Sequence, residues 1–595
     1  MSEQNYWTRR RFSRRSMLRA AALGSVGLAG AALIGCDDDG GGGGGGGGIR
    51  SAVSANVYDS VDGHQSLASP ALAVLNRAQS KILRFSNPNT GELVGDLAEN
   101  WELASPTELL LNIRDGVTWH DAGPGANHPA AKPGAPLTTE DIVWNIERQQ
   151  AGLYANEEAG ASFGRQSYWN KVASVEAIDR SIKLTLAAPD AAFVQGLANE
   201  FNTISQKELT EAIEGDFRDI SADKVLGTGP YILTEWLPGE RISGVRNPNY
   251  YNQDQPLLGG FVWGQSFEDP TASRIAWQQK QIDSLAGLDP ETTLAVQGDH
   301  ADSSYLRFAG APNTVAAYTN PARAPFNDNR AVRAIDLALN RRQLIQQLHN
   351  GLAKVSGPIS WLQEAWALPQ EEFDNVPGYR ANGSGREADV AEANKLWQAA
   401  GGADAGQIDW VISETWAARS SWTNTPDLIA QIFNEAFGTG QFRGVTKPFA
   451  EIIPSWAARD FDAYFGWIPN VEIPDARADL AGAFSTESRT NYWGVSQPEL
   501  IDDKLQRATE SLVYDDAFQL VREVQELVLA NGQFGRHVAY NYITPTLHWN
   551  YAHTTGPNDE EGWNFLANSL NAVEEWLDPD DPSYDGLKEP TPTPA

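Results

Sequence analysis

The chain of 595 residues holds a single cysteine, Cys36, and two methionines. One thiol excludes an intrachain disulfide and a zinc-thiolate cluster. Basic residues are scarce beside acids: 45 Lys and Arg face 77 Asp and Glu, for a formal net charge of −32. Such a surplus of acid argues against nucleic acid or anionic lipid as a ligand and favours solubility. No apolar run reaches the ~20 residues of a membrane-spanning helix; the longest, Ala20 to Ile34, has 15. There is no His-Glu-x-x-His, no glycine-rich phosphate loop outside the run Gly40–Gly48, and no internal repeat. Neither zinc-dependent hydrolysis nor nucleotide hydrolysis is indicated within the chain itself, and no cofactor is expected.

What is present begins with a targeting signal. The apolar run reads as a signal h-region, and ahead of it Arg9, Arg10, Arg11, Arg14, Arg15 and Arg19 outnumber one acid, Glu3. Two segments fit a twin-arginine signal. They are Thr8 to Phe12 and Ser13-Arg14-Arg15-Ser16-Met17-Leu18-Arg19, and the second, which abuts the apolar run, is favoured. The run ends Leu33-Ile34-Gly35-Cys36, which resembles a bacterial lipobox. Cys36 is therefore the expected lipidation site and mature N-terminus. More than one acyl chain is needed for stable anchoring, since each buried CH₂ adds only about 0.8 kcal/mol. Asp37, Asp38, Asp39 and nine glycines follow, a flexible tether of roughly 15–18 Å. Without residues 1–36 the body carries a charge of about −37. An exported protein, lipid-anchored on the outer face of the cytoplasmic membrane in the periplasm or at the cell surface, is expected.

The body is long enough for two or three domains. Ile49 to Asp62 has apolar residues for one strand. Glu108 to Arg114 alternates as a strand, Asp115-Gly116 reads as a turn, and a partner strand is expected over Val117–His120. Ala122 to Pro136 reads as a surface loop, after which Thr138 caps a helix with Asp141 three residues on. Residues 172–186 read as paired strands, and Tyr231 to Arg246 as a hairpin turning at Gly239-Glu240. Asn327 to Gly351 reads as one helix with Val332, Ile335, Leu339, Leu344 and Leu348 on its apolar stripe. A second helical region runs from the capping box Ser496-Gln497-Pro498-Glu499 to about Ala530, broken near Tyr514-Asp515. The tail beyond Asp578 is expected to be disordered.

Five segments in order carry a resemblance: Asp96-Leu97-Ala98-Glu99-Asn100-Trp101; Ile113 to Asp121 running on to Leu137-Thr138-Thr139-Glu140-Asp141-Ile142; Gly227-Thr228-Gly229-Pro230-Tyr231; Arg246-Asn247-Pro248-Asn249-Tyr250-Tyr251; and Phe326 to Arg333. Over roughly residues 90–550 the chain resembles the family-5 extracellular solute-binding proteins of peptide and nickel ABC importers. It departs from them in the lengthened loop Ala122–Pro136 and in Asn340-Arg341-Arg342, where an Asp-Arg pair is common. The resemblance implies a mixed α/β, two-lobed periplasmic-binding-protein-like fold with a hinge and an extra inserted domain. Carried over, the first lobe takes residues 51–64, 225–300 and 546–580, the inserted domain 65–224 and the second lobe 301–545. It implies a monomer that binds a small solute, most often a peptide, and partners with a permease and an ATPase.

The resemblance also points to a cleft between the lobes. In dipeptide binders a loop comparable to Thr415–Trp422 carries an Arg for the ligand carboxylate, a task suited to a guanidinium fork. That makes Arg419 the candidate, flanked by Trp416 and Trp422. The segment Phe461–Trp467 resembles one whose Trp lines the peptide cleft, so Trp467 is expected as a wall. The third residue after it, an Asp that pairs with the peptide ammonium in the family, is here Asn470. A buried ammonium without a carboxylate costs several kcal/mol, so a ligand lacking a free α-amino group is expected unless Glu472 or Asp475 compensates. Trp493, Phe449 and Tyr58 complete the candidates.

The same fold binding an oligosaccharide or a metal chelate, or serving as a non-transport receptor, stays open as an alternative, while a hydrolase and a metal site built from histidine pairs find no support in the pattern. Gly160-Ala161-Ser162-Phe163-Gly164 spells the nucleophile pattern of a hydrolase, but a polar segment precedes the serine where a buried strand is required. His548 with His553, and His120 with His128, are pairs too small for a metal site. No catalytic residue and no metal ligand is assigned.

Overall fold

The computed structural model describes residues 48–584 apart from 53–57, 67–68, 88–90, 152–164, 265–268, 311–313, 382, 418–421, 468–474, 487–497, 532–533, 554–561, 564–571 and 579. The signal segment with Cys36, the tether before Gly48 and the Gly160–Gly164 motif lie outside the described residues.

Strand β1 (Gly48–Ala52) comes first. After a short antiparallel pair, Leu83–Asn87 with Glu92–Gly95, come β2 (Ala98–Ser105), β3 (Glu108–Ile113), β4 (Val172–Ile178) and β5 (Ser181–Leu186), an antiparallel sheet in the order β2-β3-β5-β4. Leu109, Leu111 and Ile113 on β3 and Ile182, Leu184 and Leu186 on β5 are buried while their neighbours are half-buried. That is the period-2 alternation of strands with one face on a core. Ile142 and Ile146 of the helix Thr139–Ala151 fill the same core. Its start is a reciprocal cap, as expected: Thr138 N–H donates to Asp141 Oδ2 at 2.8 Å and Asp141 N–H to Thr138 Oγ1 at 3.3 Å.

The strand expected over Val117–His120 does not form. Thr118 makes an isolated bridge with Pro136, Trp119 N–H donates to the Ala135 carbonyl and Leu137 N–H to that of Val117, both at 2.9 Å. The segment thus closes the long loop onto itself, and Pro136, which has no N–H, cannot carry the ladder further.

The chain returns through β6 (Tyr231–Leu237), β7 (Arg241–Arg246) and β8 (Gly260–Gly264), with β6 and β7 as the expected hairpin and β1 parallel to β8. One hydrophobic core continues from this sheet into the β2–β5 sheet.

Beyond residue 300 lie β9 (Ser304–Gly310), β10 (Val315–Thr319), β11 (Ile408–Ser413), β12 (Phe442–Lys447), β13 (Ala463–Trp467) and β14 (Arg536–Trp549). They run β12-β11-β13-β10-β14-β9 across one sheet. β14 bonds to β10 through Arg536–Tyr540 and to β9 through Ile543–Trp549, so one continuous strand serves both ends. The fold is two-lobed, with mixed helix and sheet.

Two helices replace the single one expected over Asn327–Gly351: Asn329–Ala338 and Arg341–His349. Leu339 leaves helical geometry with ψ 112, and the Asn340 side chain accepts from Gln343 N–H. The break turns Arg341 inward, where it donates to Asp336 Oδ1 at 2.7 Å and to the carbonyls of Gly378 and Val538, both at 2.7 Å. The later helical region breaks between Pro498–Glu510 and Tyr514–Asn531, as expected, while Ser496 and Gln497 lie outside the described residues.

Candidate functional site

β11, β12 and β13 are parallel, in the registers Ser413↔Lys447 and Val411↔Tyr464, so their carboxyl ends Ser413, Lys447 and Trp467 lie on one edge of the sheet. Ligands of open α/β sheets bind outside such carboxyl ends. The chain leaves that edge in three segments, 414–424, 448–449 and 468–475, and these contain Trp416, Arg419, Trp422, Phe449 and Asn470. Val315, which opens β10, pairs with both Trp467 and Tyr540, which brings the middle of β14 to the same edge.

The described side chains hold this edge rigid. Trp416, 5% exposed, packs with Tyr318, Ile452, Trp456 and Tyr464. It occupies the space beside Gly466, where a Cβ would fall 1.9 Å from Trp416 Cζ3. Trp422, 1% exposed, sits in the second core with its ring 5.8 Å from His349, 6.0 Å from Tyr542 and 6.4 Å from Phe465. Both tryptophans, expected to flank Arg419 as ligand contacts, are buried packing residues on either side of the segment that bears it. His349 Nε2 lies 3.1 Å from the Tyr540 hydroxyl, and burial brings its pKa down to about 4, so it is neutral there.

Trp467 closes β13 and Phe449 opens the helix Phe449–Ala457, but neither side chain is among those described. Arg419, Asn470, Glu472 and Trp493 lie outside the described residues. Tyr58 is half-buried, edge-on to Trp236 at 5.7 Å, past the carboxyl end of β1. Asp475 is fully buried and bound to Arg477: it accepts from Arg477 N at 3.0 Å and Nε at 2.9 Å. That commitment takes it out of the role of substitute for the carboxylate missing at Asn470. Sequence reasoning missed this pair, Gly466 and Tyr540; the glycine ahead of Trp467 was the one visible signal.

The histidine pairs are divided among packing roles. His120 Nε2 bonds the Gly229 carbonyl at 3.0 Å, His548 stacks on Tyr305 at 5.1 Å and His553 on Trp576 at 4.0 Å. Among the described residues no group of three His, Cys, Asp or Glu is placed to hold a metal ion, and no helix is long and apolar enough to cross a membrane.

Comparison with known proteins bears on this geometry. The profile of the bacterial extracellular solute-binding proteins, family 5 Middle, matches residues 92–490. The peptide transport periplasmic protein SapA of Haemophilus influenzae is 22% identical over 488 residues, 77% of this chain and 82% of that protein. Among solved structures, the binding protein AgaA of A. tumefaciens in complex with agropinic acid superposes with a TM-score of 0.70 at 16% identity, over 89% of this chain and 99% of its own. DppA of Helicobacter pylori in complex with the peptide STSA gives 0.69 at 17% identity, over 89% and 98%.

Proposed function

We propose, from the premise that the chain belongs to the bacterial extracellular solute-binding proteins of family 5, that it captures a peptide or peptide-like solute between its two lobes and delivers it to the permease and ATPase of an ABC importer. The observation that carries the reading is the shared edge of Ser413, Lys447 and Trp467 beside β14, which bonds to β10 through its first half and to β9 through its second. The peptide names of SapA and of the DppA complex support the solute class.

In this reading residues 51–64, 225–300 and 546–580 make the first lobe, 65–224 the inserted domain and 301–545 the second lobe. Arg419 takes the ligand carboxylate, Trp467 walls the cleft, and Phe449, Trp493 and Tyr58 line it, with Trp416 and Trp422 holding the segment that bears Arg419. Asn470 replaces an acid, so the preferred solute lacks a free α-amino group. The protein acts as a monomer without chemistry or cofactor, exported by its twin-arginine signal and anchored through acylated Cys36. Solute shifts the lobes toward closure only by its differential affinity for the closed form.

The test is a thermal-shift and calorimetry screen of the mature chain carrying Cys36→Ser against peptides, N-blocked peptides, oligosaccharides and metal chelates. A solute at 100 times its Kd stabilises the fold by about 2.7 kcal/mol. N-blocked peptides should outrank free ones; preference for free-amino peptides overturns the Asn470 assignment, and a response to sugars or chelates alone overturns the peptide class.

A further inference from the structure

In the proposed division the second lobe also meets the domain inserted in the first lobe, away from the strands that join the lobes. The helix Pro498–Glu510 belongs to the third hydrophobic core with Ala476 and Leu480, and its last carbonyls need donors from outside the helix. Arg507 O accepts from Ser511 N–H at 3.1 Å, and Arg477 Nη1 donates to Ser511 O at 3.3 Å and more weakly to Ala508 O at 3.5 Å. Thr509 O accepts at 3.0 Å from Ala191 N–H, on a turn that leads into Phe193, Val194 and Leu197 of the first core. Ala191 is completely buried.

The turn is built to present that donor. Asp190 Oδ1 accepts from Ala192 N–H at 2.9 Å, and Asp190 Oδ2 pairs with Lys171 Nζ at 2.6 Å, which leaves Ala191 N–H facing the helix end. On the opposite side Arg477 is fully buried, locked by Asp475 and set over Trp366 at 5.3 Å. Its guanidinium also places a positive charge at a helix C-terminus, where the macrodipole favours it.

We propose that the Asp190 turn and the C-terminal end of the helix Pro498–Glu510 form a latch that stabilises the closed form, with Asp475 and Arg477 as positioning residues. The same Asp475 begins where the segment bearing Asn470 ends, so the exit of that segment and the latch share one ion pair. The inference rests on the solute-binding reading, because a latch matters only if the lobes open.

The test uses the mature chain with Cys36→Ser and two variants, Asp190→Ala, which unties the turn, and Ala191→Pro, which removes the donor. Small-angle scattering without solute reads the lobes directly. Both variants are expected to raise the radius of gyration while the solute-saturated value stays at that of the parent. For a solute found in the screen, Kd should rise roughly two- to tenfold, as expected for one net backbone hydrogen bond. Asp190→Asn, which keeps the turn acceptor, should stay close to the parent in both readouts. Variants that melt like the parent and show unchanged scattering and affinity overturn the latch. If the parent itself shows no solute-dependent compaction, the solute-closure reading fails instead, and the two failures are distinct.

Discussion

Gly466 stands one residue before the end of β13 with φ +154, a conformation that side chains rarely adopt, and an added Cβ would meet the Trp416 ring. Gly466→Ala must move that indole or bend the strand, at a cost of about 2–3 kcal/mol in chemical denaturation. The double variant Gly466→Ala/Trp416→Leu should lose less than the sum of the two single changes, because the contact is shared. Histidine burial gives a second prediction at this scale. His64, between Asp62 and Arg148, and His120 both have pKa values lowered from 6.5 to about 4, first by burial. The unfolded chain therefore binds protons between about pH 6.5 and 4 that the folded chain refuses, and stability falls as pH drops through that window. Each histidine contributes roughly 3 kcal/mol by the end of it, so the melting temperature should hold above neutrality and decline below pH 6.5. His120→Asn, which can still donate to Gly229, should flatten part of that slope.

Among the elements, the divided helix over residues 329–349 carries the clearest energetic consequence. Burial alone would raise the Asp336 carboxyl, but the Arg341 guanidinium, then His537 and Arg333, hold it well below the usual carboxylate range. Asp336→Asn strands the buried Arg341 charge and should cost about 3–5 kcal/mol, whereas Asn340→Ala, which removes only the cap of the second half, should cost about 1 kcal/mol. Denaturant titration of the two variants separates these mechanisms. The apolar stripe of this region was legible because Val332, Ile335, Leu339, Leu344 and Leu348 are all buried in register. The break was not, since it depends on Arg341 reaching carbonyls at Gly378 and Val538, far away in the chain. The missing strand at Val117–His120 has the same origin: Asp115-Gly116 is a good local turn, but β3 finds its partners in β2 and β5. The helix at Thr139 was legible to the residue because its cap is local.

On the scale of the whole molecule, sequence placed Trp416, Phe449 and Trp467 in three separate segments, and only the parallel pairing of β11 with β12 and β13 brings those segments to one edge. The segment from Ala572 to Asp578 is placed by contacts just as distant. After β14, the segment around Ala572 to Asp578 is tied to residues far back in the chain: Tyr231 Oη donates to Ala572 O at 3.2 Å, Leu257 N–H to Val573 O at 3.4 Å and Asp578 N–H to Tyr551 O at 2.8 Å. Glu575 receives Arg77 at 2.8 and 2.6 Å, both side chains nearly inaccessible, and the guanidinium lies 4.7 Å from Phe261 and 5.0 Å from Trp263. Arg77 lies in the last turn of the helix Ser69–Ala78, so this ion pair fastens that helix to β8 through the segment that carries Glu575. Truncation after residue 571 would leave a buried guanidinium without its carboxylate, and Glu575→Gln does the same with little change of shape. Each should destabilise the fold by about 3–5 kcal/mol, whereas Glu574→Gln, whose partner Arg84 stands 3.6 Å away in a looser and less deeply buried pair, should cost less. If removal of Glu575 proves no more costly than removal of Glu574, the segment around Glu575 is a passive covering and the helix Ser69–Ala78 is held without it.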